Sequence, residues 1–587
     1  MSSSDDQPLR EVDLLIDRYR AGRLTRRQLL YGAVLTAGTA GFSLVLAACG
    51  GSTATSTATT ASSSGASSTQ TSSTTTTPTS GGATTAATPT AAPTTAPAAS
   101  AVKMGGTLNA AQTNENATLD PLTSGFVSER QAYYNMYDSL VAIDTSLKII
   151  PDLADSWEIS SDGITYTFHL HQGVKFHDGT DFNADAVKFN LNRYVTDPKS
   201  ARVGEVNFVT AVDAVDANTA KVTMKAPFAP FLANLVDRAG MMLSPTAIQK
   251  GGADFSRKPV GGGTGAFMFV EWVNNDHLTL KKNPNYWKKD ASGNQLPYLD
   301  QIIFKPITDT TVLLTNLETG QIDATYNIAP KDVAGVKSNN QVVLRTAPGL
   351  SFDAFEFNTV APPFNKKELR QAVAEVLDRS QISKTVYYGI EQVGYGPIPP
   401  SSWAFDPTLQ PWTGSVDKAK QYLTTGGQPN GFTCEYKLAA GNPVTLQLLQ
   451  LVKDQLAKAG ITLNITQLDA PTISAQVKAG NFQMTGYGWS GRIDPDGNIY
   501  NQLHTGGGLA DTKYSNPDVD KVLDQTRETS DQAQRKTLFQ QAQKLFVDDA
   551  PMAWWGFAPA YLLTRPTVQG MDIYADYIMR FHAAWLK

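Results

Sequence analysis

The sequence predicts an α/β protein of at least two lobes, and three observations support that prediction. The chain has 587 residues, which is more than one hydrophobic core normally covers. Alternating apolar residues predict strands within residues 164–176 and 461–465. Segments with helical periodicity lie between such strands, and this interleaving favours α/β lobes with mixed sheets.

The ordered chain is predicted to begin near residue 104 with a short strand in MGGTLNAAQ. Further along, Ile461, Leu463 and Ile465 share one face of a strand. One helix is predicted in NKKELRQAVAEVLDRSQI, because its apolar residues form a stripe. The residues of that stripe are Leu369, Ala372, Val373, Val376 and Leu377.

Two helices are predicted near the C-terminus. Asn516 and Pro517 provide a cap residue and a proline at the first helical position. Ser530 is predicted to cap the second helix. Its predicted buried face consists of Leu538, Phe539, Ala542, Leu545 and Phe546.

Composition excludes several classes of protein. Hydrophobic residues make up 41% of the chain and charged residues 18%, as in ordinary soluble globular proteins. A net charge of −5 and the lack of a basic stripe give no reason to expect a nucleic-acid partner. Cys49 and Cys434 are the only cysteines, so the sequence has neither a disulfide framework nor a cysteine-rich metal site.

The N-terminal segment has the pattern of an export signal. Arg26 and Arg27 precede an apolar stretch of modest hydrophobicity, which is the order of a twin-arginine signal. The stretch ends in Leu-Ala-Ala before Cys49, like a lipobox, so we expect residues 1–48 to be removed and Cys49 to be lipidated. The alternative is an uncleaved membrane helix, because about twenty apolar residues can span a bilayer.

Residues 49–103 are rich in Ser, Thr, Pro, Gly and Ala and contain nothing that can build a core. We expect them to form a disordered tether between the lipid anchor and the globular body. Cys434 would then be the one remaining thiol, and an inert core position is expected for it.

A run of aromatic residues and glycines, GYGWSGRIDPDGNIY, occupies residues 486–500 and contains Arg492. The part GWSGR resembles a nucleophile elbow, but Arg492 replaces its last glycine, which favours a chance match. Asp-Pro-Asp-Gly at 494–497 offers two carboxylates, although the order favours a tight turn.

His169 and His171 share a strand face, and a solvated face is favoured over a metal site because no third ligand has suitable spacing.

Several longer motifs carry a resemblance to a known family. The run PDLADSWEISSDGITYTFHLHQGVKFHDGTDFNADAVKFNLNR spans residues 151–193. It is followed by NPNYW, ETGQIDA, FNTVAPPFNKKELRQAVAEVLDR and YSNPDVDKVLDQT. In this order the motifs resemble the extracytoplasmic solute-binding proteins of ABC importers, in the peptide/nickel-binding family known as family 5. The resemblance covers essentially residues 104–587.

The resemblance implies a two-lobed periplasmic-binding-protein-like fold with a hinge and a third domain inserted in the first lobe. Lobe I would comprise residues 104–146, 264–350 and 556–587. The inserted domain would span 147–263 and lobe III 351–555, with hinges near 350 and 556. Clefts between lobes are preferred ligand sites, and hinge closure buries the ligand.

The resemblance also implies a function. We expect a monomeric, non-enzymatic protein without cofactor or metal, anchored by lipid outside the cell membrane. It would capture a peptide-like or other small polar solute and deliver it to the permease subunits of an ABC importer. Opines, oligosaccharides and nickel chelates are alternative ligands within the family. A secreted hydrolase or a purely structural lipoprotein are alternatives outside it.

Arg492 is the main departure from the family pattern. Peptide-binding members of the family that this chain resembles have the motif GW-x-x-D, and its aspartate binds the α-amino group of the peptide. This sequence keeps Gly488 and Trp489 but has Arg492 at the aspartate position, which reverses the charge. Arg492 is therefore predicted to bind an anion, with Trp489 as an apolar wall for the ligand. The alternative is that Arg492 pairs with Asp494 or Asp496 and stabilises the turn.

Overall fold

The computed structural model describes residues 102–587. The predicted export signal at Arg26 and Arg27 and the predicted lipidation site Cys49 lie outside the described residues, as does nearly all of the predicted tether. None of the helices between residues 102 and 587 has the length and hydropathy needed to cross a membrane.

Strands are distributed over the whole of the described chain. They are β1 (Thr107–Gln112), β2 (Val141–Ile143), β3 (Ile149–Pro151), β4 (Ala154–Ile159), β5 (Thr165–Leu170), β6 (Val209–Asp216), β7 (Thr219–Met224), β8 (Phe267–Val273), β9 (His277–Lys282), β10 (Gln301–Pro306), β11 (Ala324–Thr325), β12 (Val343–Ala347), β13 (Phe352–Phe357), β14 (Gln392–Val393), β15 (Thr433–Ala439), β16 (Thr462–Leu468), β17 (Met484–Trp489), β18 (Met552–Phe557), β19 (Ala560–Thr564), β20 (Val568–Gln569) and β21 (Trp585–Leu586).

Helices alternate with these strands, as the predicted α/β class requires. They are α1 (Val127–Met136), α2 (Ala184–Thr196), α3 (Val203–Val206), α4 (Phe231–Asn234), α5 (Pro245–Gly251), α6 (Thr310–Thr319), α7 (Val333–Lys337), α8 (Lys367–Val376), α9 (Arg379–Val386), α10 (Val416–Thr425), α11 (Pro443–Lys458), α12 (Ala470–Lys478), α13 (Asp496–Leu503), α14 (Pro517–Glu528) and α15 (Gln532–Asp549).

Two large mixed sheets organise the molecule. The seven-stranded sheet has the order β12-β19-β11-β1-β10-β9-β8, with β1 parallel to both β10 and β11. The six-stranded sheet has the order β14-β18-β13-β17-β15-β16, with β15 parallel to β16 and β17. Each sheet packs against its own core of buried apolar side chains. A separate four-stranded antiparallel sheet, β4-β5-β7-β6, has a third core.

The chain passes between the two large sheets at two neighbouring places. The first passage, residues 348–351, joins β12 to β13, and the second, residues 558–559, joins β18 to β19. The Tyr577 hydroxyl lies 2.6 Å from Ser351 Oγ and 2.8 Å from the carbonyl oxygen of Ala558, so one side chain contacts both passages. Two short adjacent connections of this kind are typical of a hinge.

Most predicted elements are confirmed, with three corrections. The side chain of Asn516 caps α14 as predicted, and Phe539, Ala542 and Phe546 are buried on α15. The cap of α15 is Asp531 rather than Ser530, because the Asp531 carboxylate accepts from the Gln534 N–H. The helix predicted across residues 365–382 is two helices, because Leu377 is extended and Asp378 caps the second one.

The third correction concerns Asp-Pro-Asp-Gly at 494–497, which was expected to form a tight turn. The Gly497 N–H does bond the Asp494 carbonyl, but the chain continues as helix α13 from Asp496. Pro495 has helical backbone angles, so the segment opens a helix rather than reversing the chain.

Candidate ligand-binding site

A cavity of about 470 Å³ lies where three parts of the chain meet, and both predicted ligand-binding residues line it. Trp489 is the last residue of β17 in the six-stranded sheet, Arg492 follows that strand, and α13 contributes Asn501. The wall opposite comes from the loop before α1 and from the segments around α3 and α4. The residues of these segments are Ser124, Gly125, Phe126, Val127, Arg130, Ala201, Arg202, Gly204, Glu205, Asn234 and Arg238.

Local contacts fix the position of Arg492. Its guanidinium carbon lies 4.6 Å from the centre of the Trp489 ring, and Nη1 donates to the Gly491 carbonyl at 2.7 Å. Asn498, buried on α13, accepts from both the Arg492 N–H and the Trp489 indole N–H. A side chain at Gly497 would collide with the stem of Arg492, since a Cβ there would be 2.6 Å from Arg492 Cγ. Glycine at 497 therefore lets the arginine pack on the helix.

The alternative in which Arg492 stabilises the turn through Asp494 or Asp496 is wrong in this structure. Both carboxylates are held by other arginines. Asp494 forms a two-bond ion pair with Arg535, and Asp496 forms one with Arg527. Within residues 102–587, Arg492 has no carboxylate within 4.0 Å. Its charge is left available to the cavity.

Three further arginines line the same cavity. Arg130, on α1, donates to Asp237 at 3.1 Å, and Arg202 donates to Glu205 at 2.6 Å. Both Arg202 and Arg238 donate to the Ser124 carbonyl, at 2.7 and 3.4 Å.

The loop carrying Ser124 is held by the buried carboxylate of Glu129. This carboxylate accepts from the Ser124 hydroxyl and from the N–H groups of Gly125 and Phe126. Glu129 at the start of α1 thus holds the Ser124 carbonyl in the place where it accepts hydrogen bonds from Arg202 and Arg238.

The electrostatics of the cavity reflect this crowding of guanidinium groups. Burial alone would raise the pKa of Asp237, but the charges of Arg130 and Arg238 hold that pKa well below its ordinary value. Burial, together with the neighbouring charge of Arg202, lowers the pKa of Arg238 to about 9. Burial also lowers the pKa of Arg492. The positive charges of Arg238 and Arg492 are thus less favourable here than in water, whereas the negative charge of Asp237 is stabilised.

A second cavity, of about 320 Å³, lies on the six-stranded sheet, and buried carboxyl groups rather than arginines lie around it. It is lined by Asp353 of β13, Lys437 of β15 and the aromatic side chains Tyr387, Tyr436, Tyr487 and Trp555. Burial raises the pKa of Asp353, and burial together with the Asp353 charge raises the pKa of Glu391. Glu356, also on β13, is 2% exposed, and burial raises its pKa to about 8. The Lys437 ammonium bonds Gln476 and the Asn481 carbonyl.

Other residues considered in the sequence have structural surroundings. Ser490 Oγ lies 3.4 Å from Arg492 Nη1, and its hydrogen bonds within the described chain include no histidine. His169 on β5 and His171 directly after it are partly exposed beside Glu158 and Asp155, as expected for a solvated strand face. Cys434 is 1% exposed in the core of the six-stranded sheet, which confirms a buried position.

Sequence reasoning found Trp489 and Arg492 but missed Arg130, Arg202 and Arg238. These three are far from residue 492 in the sequence, and the tertiary fold alone brings them together. One signal was present: Asp237 and Arg238 interrupt the otherwise apolar run ANLVDRAGMML. Adjacent charges in such a run indicate a buried ion pair, because unpaired charges are rarely buried.

Two sheets with separate cores, joined by two crossing segments, and a cavity lined by distant parts of the chain are the features of a two-lobed ligand-binding protein. The chain belongs to the bacterial extracellular solute-binding proteins, family 5, whose model matches residues 148–510. The glutathione-binding protein GsiB of Pectobacterium atrosepticum is 30% identical over 478 residues, covering 80% of this chain and 91% of that protein. GsiB of Escherichia coli O157:H7 is 30% identical over 446 residues, covering 74% and 85%.

Solved structures agree with this assignment. DppA from Helicobacter pylori, in complex with the peptide STSA, has a TM-score of 0.73 at 26% identity, covering 82% of this chain and 98% of that one. AgaA from A. tumefaciens R10, in complex with agropinic acid, has a TM-score of 0.73 at 25% identity, covering 82% and 99%. The protein is an extracytoplasmic solute-binding protein of an ABC importer. These relatives are binding proteins, and the comparisons give no support to the hydrolase alternative.

Proposed function

We propose that the protein captures a small peptide-like solute through an anionic group, which binds Arg492 in the interlobe cavity. The observation that carries this proposal is that Arg492 lines the cavity with its guanidinium free of any carboxylate in the described chain. A guanidinium binds planar anions such as carboxylates through two parallel hydrogen bonds. The same group repels an ammonium, so a free peptide N-terminus is disfavoured at this place.

The relatives suggest which solute to test first. The GsiB proteins are named for binding glutathione, a tripeptide with two carboxylates. AgaA is described in complex with agropinic acid, which is also an acid. Both chemistries suit a cavity lined by arginines, so glutathione is the first candidate ligand. Phe126, 59% exposed at the cavity, provides apolar surface for the uncharged part of such a solute.

Mass spectrometry of the solutes released from protein purified without refolding tests this function. We expect a compound with at least one acidic group, unchanged after incubation with the protein, which would also support a role without catalysis. Glutathione should bind in calorimetry, whereas N-acetylation of a bound peptide should not abolish its binding. Tight binding of ordinary dipeptides that is lost on N-acetylation would contradict the proposal.

We further propose that the binding lobes comprise residues 104–146, 264–350 and 556–587 on one side and 351–555 on the other, with residues 147–263 as the inserted domain. Ligand binding would close the lobes about the segments near 350 and 556. A solute at one hundred times its dissociation constant should stabilise the protein by about 2.7 kcal/mol. Small-angle scattering that shows the same compactness with and without a proven ligand would contradict closure.

We also propose that the protein is monomeric and is anchored by lipid at Cys49 after twin-arginine export. The support is the sequence alone, with Arg26 and Arg27 before an apolar stretch that ends in a lipobox. Cys49→Ala should release the protein from membranes or leave an unprocessed precursor, as judged by fractionation and intact mass. Unchanged processing and membrane association would show that Cys49 is not the anchor.

A further inference from the structure

The charges around the cavity do not balance. Four guanidinium groups line it, from Arg130, Arg202, Arg238 and Arg492, and we call these the arginine cluster. Two carboxylates lie against the cluster: Glu205 is paired with Arg202, and Asp237 is shared by Arg130, at 3.1 Å, and Arg238, at 3.8 Å.

The other carboxylates nearby already have partners outside the cluster. Asp496 lines the cavity but is paired with Arg527 through two hydrogen bonds. Asp576, 3.9 Å from Arg130, is held by two hydrogen bonds from Arg580. Among the described residues, the four guanidinium groups of the cluster therefore exceed the two carboxylates paired with them by two positive charges.

The cluster also has hydrogen-bond donors without partners. Arg130, Arg202 and Arg238 are each between 3% and 5% exposed. Arg130 Nη1, Arg202 Nε and Arg238 Nε are buried and have no acceptor among the described residues. A buried donor without an acceptor costs roughly 1–3 kcal/mol, and more when it is charged. Asp237 Oδ2, beside the same cluster, is a buried acceptor that also has no partner among the described residues. One acceptor atom cannot satisfy all three donors, so a ligand that brings acceptors is still expected.

The protein cannot remove this excess charge by releasing protons. Arginine stays charged at neutral pH in proteins. Burial lowers the pKa of Arg238 only to about 9, so the group is still protonated at pH 7. A bound anion is the remaining way to compensate the charge.

We infer that the arginine cluster is a subsite for a compact group with two negative charges, either a phosphate monoester or two carboxylates attached to the same carbon or to neighbouring carbons. This inference rests on the proposed function, since it specifies the charge of the solute that the cavity takes. Glutathione, whose two carboxylates lie at opposite ends of the molecule, would use the subsite with one of them only. A solute with a compact dianionic end would use it with both charges.

Thermal unfolding with small anions tests the inference without knowledge of the natural solute. The probes are inorganic phosphate and malonate against chloride and acetate, compared at equal ionic strength. We expect each dianion that fits to raise the melting temperature of the protein by about 2 °C or more over the monoanions. Stabilisation by malonate indicates a dicarboxylate ligand, and stabilisation by phosphate alone indicates a phosphate ester.

Variants separate binding from general salt effects. Phosphate stabilises most proteins by exclusion from their surface, and that part should be equal in all variants. Arg238→Gln should lose at least half of the dianion shift. Arg257→Gln, which changes an exposed arginine stacked on Trp272 away from the cavity, should keep it. If the Arg238→Gln variant does not fold, Arg202→Gln is used in its place, with the same expected loss.

The inference is overturned if dianions and monoanions stabilise the unmodified protein equally. It is also overturned if Arg238→Gln and Arg202→Gln both keep the whole dianion shift. The proposed function fails on a different observation, namely solute binding that needs neither Arg492 nor an acidic group. A monoanionic solute that requires Arg492, with no preference for dianions, would retain the proposed function and exclude the dianion subsite.

Discussion

Two cavities of this protein differ in the ionisable groups buried around them, which are arginines at one cavity and mainly carboxyl groups at the other. The two kinds of group differ in whether they can lose their charge. The arginine cluster lies between parts of the chain that belong to different cores, whereas Asp353, Glu356 and Glu391 lie around a single sheet. Carboxyl groups can take up protons, and burial raises the pKa of Glu356 to about 8, so this group is largely neutral at pH 7. Arginines have no such route at neutral pH.

This difference shows why buried charge alone does not identify a binding site. Asp353, Glu356 and Glu391, which we call the acidic region, can be buried as protonated carboxyl groups and need no partner, but the stability of the fold then depends on pH. The arginine cluster keeps its charge at every physiological pH and needs an anion. A buried basic cluster is therefore stronger evidence for a ligand than a buried acidic cluster of the same size.

The largest effect is expected from Arg492→Ala. This change removes the guanidinium proposed to bind the anionic solute, and it should weaken glutathione binding by roughly 2–5 kcal/mol in calorimetry. The melting temperature of the free protein should hardly change, because Arg492 forms no ion pair in the described chain. Arg257→Ala is the control. An affinity within twofold of the unmodified protein would refute the role of Arg492.

The acidic region should respond to pH instead of ligand. The folded pKa of Glu356 lies above its unfolded value, so the folded state holds a proton that the unfolded state releases. This contribution to stability is present below about pH 4 and is lost as the pH rises towards 8. Glu356→Gln should therefore stabilise the protein at pH 8 by about 1–3 kcal/mol and have little effect at pH 5.

Denaturant unfolding at several pH values measures this difference. Glu528→Gln, which changes an exposed carboxyl, is the matched control and should follow the unmodified protein throughout. A Glu356→Gln stabilisation that is equal at pH 5 and pH 8 would show that proton uptake does not neutralise the acidic region.

Features of the fold and of the site could be predicted from the sequence where they depend on residues close together in the chain. The Asn516 cap of α14 and three of the five predicted buried residues of α15, namely Phe539, Ala542 and Phe546, depend on local spacing and were predicted correctly, whereas Leu538 and Leu545 are half-buried. The pairing of Asp494 with Arg535 joins residues 41 positions apart, and no spacing rule indicates it. The arginine cluster is a stronger case, because its members come from four separate segments.

Arg492 itself was found because a family pattern fixed which residue to expect there. This chain departs from that pattern by one residue, an arginine in place of an aspartate, which reverses the charge at position 492 and can be read from the sequence alone. What the sequence could not provide was the environment: whether Asp494 and Asp496 were free, and which charges lay opposite. Those facts depend on helices α14 and α15, which supply Arg527 and Arg535.

The smallest effect is expected from Trp489→Phe, and it distinguishes two roles for this ring. The sequence suggested that Trp489 stacks on the ligand, whereas in the structure the ring packs against the Arg492 guanidinium and, at 6.3 Å, against Tyr487. If the ring only positions Arg492, Trp489→Phe should weaken solute binding by about 0.5–1 kcal/mol, since phenylalanine keeps a weaker cation–π contact. In an Arg492→Ala background the same change should then have no effect on affinity. A loss that persists in that background would mean that Trp489 contacts the solute directly, and the arginine cluster would no longer account for recognition alone.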